Sequence, residues 1–238
     1  MIQFSDTSTN TGILQQVRSL MRVDGTQWPT AKVVNSCNNY LDTVVGYAIG
    51  ADRNFQFDDS NHSKLPEGTT ALTINVSDYS FLTDENGNTI LTLLGISRLD
   101  SGKYVPLTPV DRNDPGYDSA TFGTVAGTPT QYDKIADNII RINTLPPATV
   151  ASGLKFYFQR TPSYFVAADT TKSPGVSPLL HRGFIIAAAY DGALTLGLAN
   201  LNALAVEMQR ETAKMEAYFG NRNNDTHGRM VAAVEDNR

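Results

Sequence analysis

The sequence contains one cysteine, few charged residues and no leader-like segment. Cys37 is alone among 238 residues, so neither an intrachain disulfide nor a cysteine-rich zinc site can form, which fits a reducing cytosol. Charged residues make up 18% of the chain, below the usual value of about 25%. The first six residues have neither a basic start nor an apolar run, so we expect no signal peptide.

Basic residues are outnumbered by acidic ones. The chain has 19 lysines and arginines against 24 aspartates and glutamates, and its net charge is −5. Non-specific DNA binding depends on lysine and arginine neutralising phosphates, so we expect DNA to pass this protein without specific binding. The longest apolar stretch, 183–201, is interrupted by Asp191 and Asn200. It falls short of a membrane span, and no membrane partner is expected.

Recognisable catalytic motifs are missing. The three histidines, His62, His181 and His227, do not have the i, i+4 spacing of a zinc protease, and no nucleophile elbow or complete phosphate-binding loop occurs. His181 alone favours capping or packing over catalysis. Asp58 and Asp59 are adjacent, and adjacent side chains point apart on an extended chain. We therefore predict no enzyme activity, no catalytic or metal-binding residues and no cofactor.

Apolar residues recur at helical spacing near both ends of the chain. This pattern predicts helices over 10–23 and 28–50, and again over 179–199 and 200–219. The third of these is apolar almost all round, which is typical of a buried helix.

The middle of the chain has the alternating pattern of strands. The predicted strands are 71–76, 79–82, 90–96, 103–107, 132–135, 139–142 and 154–159. Asn86-Gly87 indicates a hairpin between the second and third strands, and 136–138 indicates another. Helices, then hairpins, then helices predict an α+β fold with a small antiparallel sheet or sandwich, a C-terminal helical pair and a flexible tail.

These segments are assigned to one domain followed by a tail. The domain covers 1–222, and residues 223–238 form the tail. Within the domain the predicted parts are a helical segment (10–50), a β region (51–160), a connector (161–178) and a second helical segment (179–222).

Several stretches together resemble the head-to-tail adaptor (connector) proteins of tailed bacteriophages. The likeness covers roughly residues 10–222, and its most specific parts are the strand Phe156-Tyr157-Phe158-Gln159-Arg160 and the connector Asp169-Thr170-Thr171-Lys172. The other stretches that carry it are Phe57-Asp58-Asp59-Ser60-Asn61, Leu65-Pro66, Gln131-Tyr132-Asp133-Lys134, Thr161-Pro162, Ser173-Pro174-Gly175 and Leu180-His181.

The resemblance implies a structural virion protein. Members of that family form a ring of typically twelve subunits beneath the portal, around the DNA channel, and link the head to the tail. The implied partners are the portal protein, tail or other neck proteins, and further copies of the chain. The implied location is the neck of the virion, with host cytoplasm as the place of assembly.

Low charge, an acidic balance and the lack of a catalytic motif also fit a subunit of an assembly. Two alternatives stay open. The chain could be another neck, stopper or tail-completion protein, or an enzyme or small-ligand binder whose site is scattered along the sequence.

The C-terminal end is the candidate partner-binding segment. We expect the last turn of the fourth helix to expose Met215, Tyr218 and Phe219 beside Arg222, and the polar tail contains a short apolar island, 230–234. Aromatic, methionine and arginine residues are enriched at interface cores. The partner-binding residues predicted from the sequence are Met215, Tyr218, Phe219, Arg222, Met230 and Val231.

Overall fold

A computed structural model shows that the chain forms two compact units. The structure describes residues 2–51, 67–84, 87–111, 117–118, 120–136 and 138–220. One unit is Met1–Arg53 with Tyr164–Arg238, and the other is Asn54–Ser163. The first contains the described helices and the second the strands, so the predicted α+β class is confirmed. The sequence prediction placed both sets of elements within one domain over 1–222.

The described residues of the first unit, which we call the helical unit, form four helices. They are α1 (Ile13–Met21), α2 (Thr30–Ala51), α3 (His181–Leu196) and α4 (Leu201–Gly220), and a single 3-10 turn (Pro178–Leu180) precedes α3. The helix α1 ends where Arg22 adopts the left-handed conformation, and α3 ends at Gly197 for the same reason. All four lie within a few residues of their predicted positions.

The core of the helical unit is α3, which packs against the other three helices. Its buried residues surround the axis, as its sequence predicts. Two glycines allow the close approach of its neighbours, because a Cβ at Gly183 would strike the Tyr40 hydroxyl and one at Gly192 would strike Met21. The ring of Phe184 meets Tyr40 edge-on at a centroid distance of 5.0 Å. Small residues in α3 therefore set the helix spacing.

A glycine-to-alanine substitution should lower the free energy of unfolding in α3 and raise it in α2. We expect Gly183→Ala to lower the free energy of unfolding by about 1–3 kcal/mol, because the rigid Tyr40 side chain must shift. Gly46→Ala is the matched control: nothing lies within 4 Å of its Cβ. That variant should gain about 0.5–1 kcal/mol from better helix propensity. Urea titration measures both, and equal effects at the two positions would contradict this packing.

The N-terminal segment is fixed to the connector that precedes α3. The amide of Phe4 donates to the Lys172 carbonyl at 2.7 Å, and that of Ser5 donates to the Thr170 carbonyl at 3.0 Å. The ring of Phe4 stacks on Phe165 at 5.1 Å. Two backbone hydrogen bonds and one ring contact thus hold the start of the chain against the connector.

In the second unit, which we call the β unit, the described residues form eight strands in two sheets. They are β1 (Glu67–Leu72), β2 (Asp78–Ser80), β3 (Ile90–Asp100), β4 (Lys103–Pro106), β5 (Thr108–Val110), β6 (Gln131–Ala136), β7 (Ile139–Ile142) and β8 (Val150–Arg160). The strand orders are β1-β8-β3-β4 and β2-β7-β6-β5. Neighbouring strands are antiparallel except β5 and β6, which are parallel.

The two sheets share one core, and the chain crosses between them at both edges. Apolar residues of both sheets form a single cluster, so the unit is a sandwich. The edge strands of the first sheet, β1 and β4, lead directly into the edge strands of the second sheet, β2 and β5. The buried Leu107 lies in the connection from β4 to β5. Pro106 lies on the edge strand β4 and Pro109 on the edge strand β5. Proline has no N–H, which limits pairing of these edges with another chain.

One predicted hairpin is confirmed, and the other forms only beside its turn. The strands β6 and β7 pair around 136–138 as expected. Beside the turn the chain pairs antiparallel through Thr83 and Thr89, and the Ile90 amide donates to the Leu82 carbonyl at 3.0 Å. Beyond that pair the two strands diverge, because β2 pairs with β7 and β3 with β8 and β4. The turn itself survives: the Asp84 amide donates to the Asn88 carbonyl at 2.9 Å. Burial of alternate strand faces in one sandwich core overrides the local turn signal.

The first predicted strand is displaced along the sequence. It was expected over 71–76, but β1 ends at Leu72. Asn75 adopts a left-handed backbone conformation with φ 56°, and Ile74 is exposed. The chain turns there because it must leave one sheet and enter the other.

Candidate interaction surfaces

The predicted exposure of the last turn of α4 is wrong for its two largest apolar residues. Met215 is 0% exposed and Phe219 is 2% exposed. They continue the inward face that includes Leu204 and Glu211, at helical spacings of seven, four and four residues. Tyr218 is half-buried and lies edge-on to Phe219 at 5.1 Å. The buried stripe therefore runs to the end of the helix and belongs to the core.

The remaining residues of the predicted docking segment are Arg222, Met230 and Val231. They lie outside the described residues, so the tail part of that prediction stays a prediction.

A charged network joins α3 to α4 on the surface of the helical unit. Arg182 contacts Glu207 at 3.0 Å and Glu211 at 3.5 Å. Lys214 also reaches Glu211 at 3.5 Å, and Arg210 contacts Glu207 at 2.6 Å. Glu211 is nearly buried, so its two cationic neighbours offset the loss of its hydration. The two contacts of Arg182 link α3 to α4.

Beneath that network lies a buried tyrosine hydroxyl. Burial and the negative charge of Glu211 raise the pKa of Tyr40 to about 12. Its hydroxyl has no hydrogen-bond partner within the part of the chain that the structure describes. Tyr40 is therefore a neutral core residue that fills the space left by Gly183.

Three exposed leucines lie where α1 ends and α3 turns into α4. Leu20 is 42% exposed, Leu194 is 57% exposed and Leu196 is 39% exposed. The side-chain amide of Asn200 donates to the Leu20 carbonyl at 3.0 Å and holds the end of α1 against the α3–α4 connection. Leu194 and Leu196 are two residues apart on α3 and point to different sides of it, so these leucines are separate exposed apolar residues, which are ordinary on a protein surface.

On the outer face of the β1-β8-β3-β4 sheet, Lys155 is the central charge. Its Nζ lies 2.8 Å from Glu67, and the hydrogen bond with that carboxylate is the largest cause of the raised Lys155 pKa. The same Nζ lies 5.5 Å from the Tyr104 ring centroid and 5.4 Å from that of Tyr157. The lysine thus bridges three strands through charge and cation–π contacts.

A buried ion pair at the end of β8 holds the turn that precedes β3. Arg160 Nε lies 3.2 Å from Asp84 Oδ2, and the two side chains are only 7% and 5% exposed. Asp84 also accepts from Asn88, at 2.8 Å from the amide and 3.0 Å from the side chain. The sequence pattern indicates the turn and the strand that ends at Arg160, but it does not indicate that they meet.

Two residues of types often used in catalysis, His181 and Cys37, are buried in the core. His181 is buried with its Nε2 3.0 Å from the Val176 carbonyl, which agrees with the packing role expected for it. Burial raises the pKa of the Cys37 thiol to about 12. No group of three or more potential metal ligands occurs in the described ranges. The other candidates, His62, His227 and the pair at 58–59, lie outside those ranges.

Polar residues in the adaptor-like stretches make contacts that hold loops in place. The Tyr117 hydroxyl donates to Asp133 at 3.2 Å in the β unit. In the connector, Asp169 accepts from the Val166 amide at 2.7 Å, and Lys172 donates to the Tyr164 carbonyl at 2.6 Å. Together with Arg160, these residues organise the folds of the two units.

Across the described residues, no helix is both long and apolar enough to cross a membrane. Neither a protein-family model nor a curated protein matches the chain.

Proposed function

We propose that this chain is a non-enzymatic structural protein of a tailed bacteriophage. Its role is that of a head-to-tail adaptor, which forms a ring of typically twelve copies below the portal and around the DNA channel. In the neck of the virion it links the portal to tail or other neck proteins.

The observation that carries this proposal is the structural role of the adaptor-like stretches. Their charged residues hold the fold: Arg160 pairs with a buried aspartate, and Asp169 and Lys172 order the connector. Such contacts support a protein whose surfaces, rather than a catalytic centre, perform its function.

The charge balance supports the role proposed for the channel. The net charge is −5, and acidic surfaces repel the phosphates of DNA. A ring of such subunits lets the genome slide through without specific binding. The same charge makes free subunits repel one another.

We expect the purified chain to be monomeric and to form rings only on the portal protein encoded in the same genome. Repulsion between subunits opposes self-assembly, and portal contacts supply the missing stabilisation. Sedimentation velocity of the chain alone and after mixing with portal rings measures this. Stable rings of the chain without portal would contradict the templated assembly, and failure to bind portal would contradict the adaptor role.

The same mixing experiment separates the adaptor from the other neck proteins. An adaptor binds portal directly, whereas a stopper or tail-completion protein is expected to join only after the adaptor is in place. Binding to portal rings in the absence of every other neck protein therefore supports the adaptor assignment.

A further inference from the structure

Three loops meet at one end of the β sandwich. Strand pairing places them there, because the end of β1 pairs with the start of β8, and the end of β7 pairs with the starts of β2 and β6. The loops next to these strand ends are 73–77, 123–128 and 143–149. None of their residues is charged, and we call the surface that they form the neutral tip.

Backbone hydrogen bonds tie the three loops to one another, and the third loop is held on both sides. On one side the Leu145 amide donates to the Val125 carbonyl at 2.8 Å, and the Gly127 amide donates to the Leu145 carbonyl at 2.9 Å. On the other side the Asn75 amide donates to the Pro146 carbonyl at 3.1 Å. The tip is therefore ordered before a partner arrives, which lowers the entropy cost of binding.

The neutral tip exposes apolar side chains and hydroxyl groups. Val125 is 52% exposed and Ile74 is 46% exposed. Ala126, Pro147 and Ala148 are exposed as well, and the other exposed residues of the three loops are three threonines and one asparagine. Loops held at the end of a rigid sandwich are a common place for binding residues.

The absence of charge decides which partner fits the tip. Without lysine or arginine the tip cannot neutralise phosphates, which excludes nucleic acid. A partner with a charged contact surface would bury its charge without a counter-charge, at a large cost. Asp78 and Arg141, which lie next to two of the loops, pair with each other at 2.6 Å. The surface that fits is therefore an uncharged surface of another protein, surrounded by a polar rim.

The size of the tip favours a partner that meets several copies at once. Nine of its residues are exposed, whereas a stable interface takes roughly 20–30 residues a side. One tip should therefore bind weakly. In a ring the tips are related by symmetry, and weak contacts made together give a much higher overall affinity than one contact alone. A second ring in the same neck is such a partner.

We propose that the neutral tip is the surface through which ring-bound copies dock the neck or tail protein that follows the adaptor. The contacting surface of that protein is uncharged and apolar. The inference rests on the proposed function, which supplies the ring. It adds to that function by assigning the contact with the next component to the end loops of the β unit.

A charge introduced at the tip tests the proposal in assembling phage. The gene for the chain is deleted, and full-length variants are supplied from a plasmid. We expect Val125→Lys and Ile74→Lys each to lower the yield of tailed particles by about tenfold or more, because a lysine is then buried without a counter-charge. DNA-filled heads that carry the variant on the portal should accumulate instead. Val125→Thr adds no charge and should leave the yield near the wild-type value.

The matched control is Val206→Lys on α4. Val206 is 51% exposed and belongs to the helical unit, so this variant should attach tails like the wild type. Circular dichroism of the purified variants should show near wild-type thermal stability, as expected for substitutions at exposed positions.

Three results would overturn the proposal. Normal tail attachment with Val125→Lys and Ile74→Lys would exclude the tip as a docking surface. Loss of these variants from purified heads would make the portal its partner, and incomplete rings at the portal vertex would make the neighbouring copy its partner. Failure of the wild-type chain to join portal rings is a different observation, which would contradict the proposed function and the ring on which this inference rests.

Discussion

Replacing Arg160 with methionine should lower the free energy of unfolding by about 3 kcal/mol or more. The substitution keeps most of the side-chain volume but removes the cation from a pair that is almost fully buried. Asp84 would then be a buried carboxylate that has lost this cationic partner. Urea unfolding followed by circular dichroism measures the loss.

An exposed pair in the same unit provides the control. Arg141 contacts Asp78 at 2.6 and 2.7 Å, closer than the Arg160 pair, but the two side chains are 37% and 46% exposed. Arg141→Met should therefore cost no more than about 1 kcal/mol. Adding Asp84→Asn to Arg160→Met should recover part of the lost stability, since the buried negative charge is then removed as well. Equal losses from Arg160→Met and Arg141→Met would show that burial does not decide the strength of these pairs.

Phe219→Ala should destabilise the helical unit by about 3–5 kcal/mol. The ring is 2% exposed and lies in the core at the end of α4, so its removal leaves a cavity. Thermal or urea unfolding measures the effect. This outcome distinguishes a core residue from the surface anchor that the sequence alone suggested.

The matched control lies on the exposed side of the same helix. Val206 is 51% exposed, and Val206→Ala should change stability by less than about 0.5 kcal/mol. If Phe219→Ala unfolded like Val206→Ala but failed to bind portal, Phe219 would be a docking residue after all.

Elements that follow from local periodicity were predictable from the sequence. The apolar residues of α3 and the alternation Leu154, Phe156, Phe158 in β8 indicate buried surfaces, and all three of these strand residues are buried. The turn at 136–138 also predicts its hairpin, because its two strands are neighbours in the same sheet. Local signals succeed where local and tertiary preferences agree.

Long-range pairings were not predictable in this way. The turn signal at Asn86-Gly87 is real, yet its flanking strands join different sheets, because the sandwich core selects their partners. The pairing of Arg160 with Asp84 joins residues 76 positions apart. The apolar stripe of α4 predicts an apolar face, but it does not indicate how much of that face the neighbouring helices cover. Met215 and Phe219 were therefore expected at the surface, whereas both are buried.

The location of the chain in an assembled particle tests the central proposal most directly. Cryo-electron microscopy of virions from the phage that encodes it, reconstructed around the portal vertex, gives that location. We predict a ring of copies directly below the portal, with the eight-stranded unit and the four-helix unit recognisable in each subunit. Density for this chain on the capsid faces or along the tail, or its absence from the virion, would contradict the adaptor function.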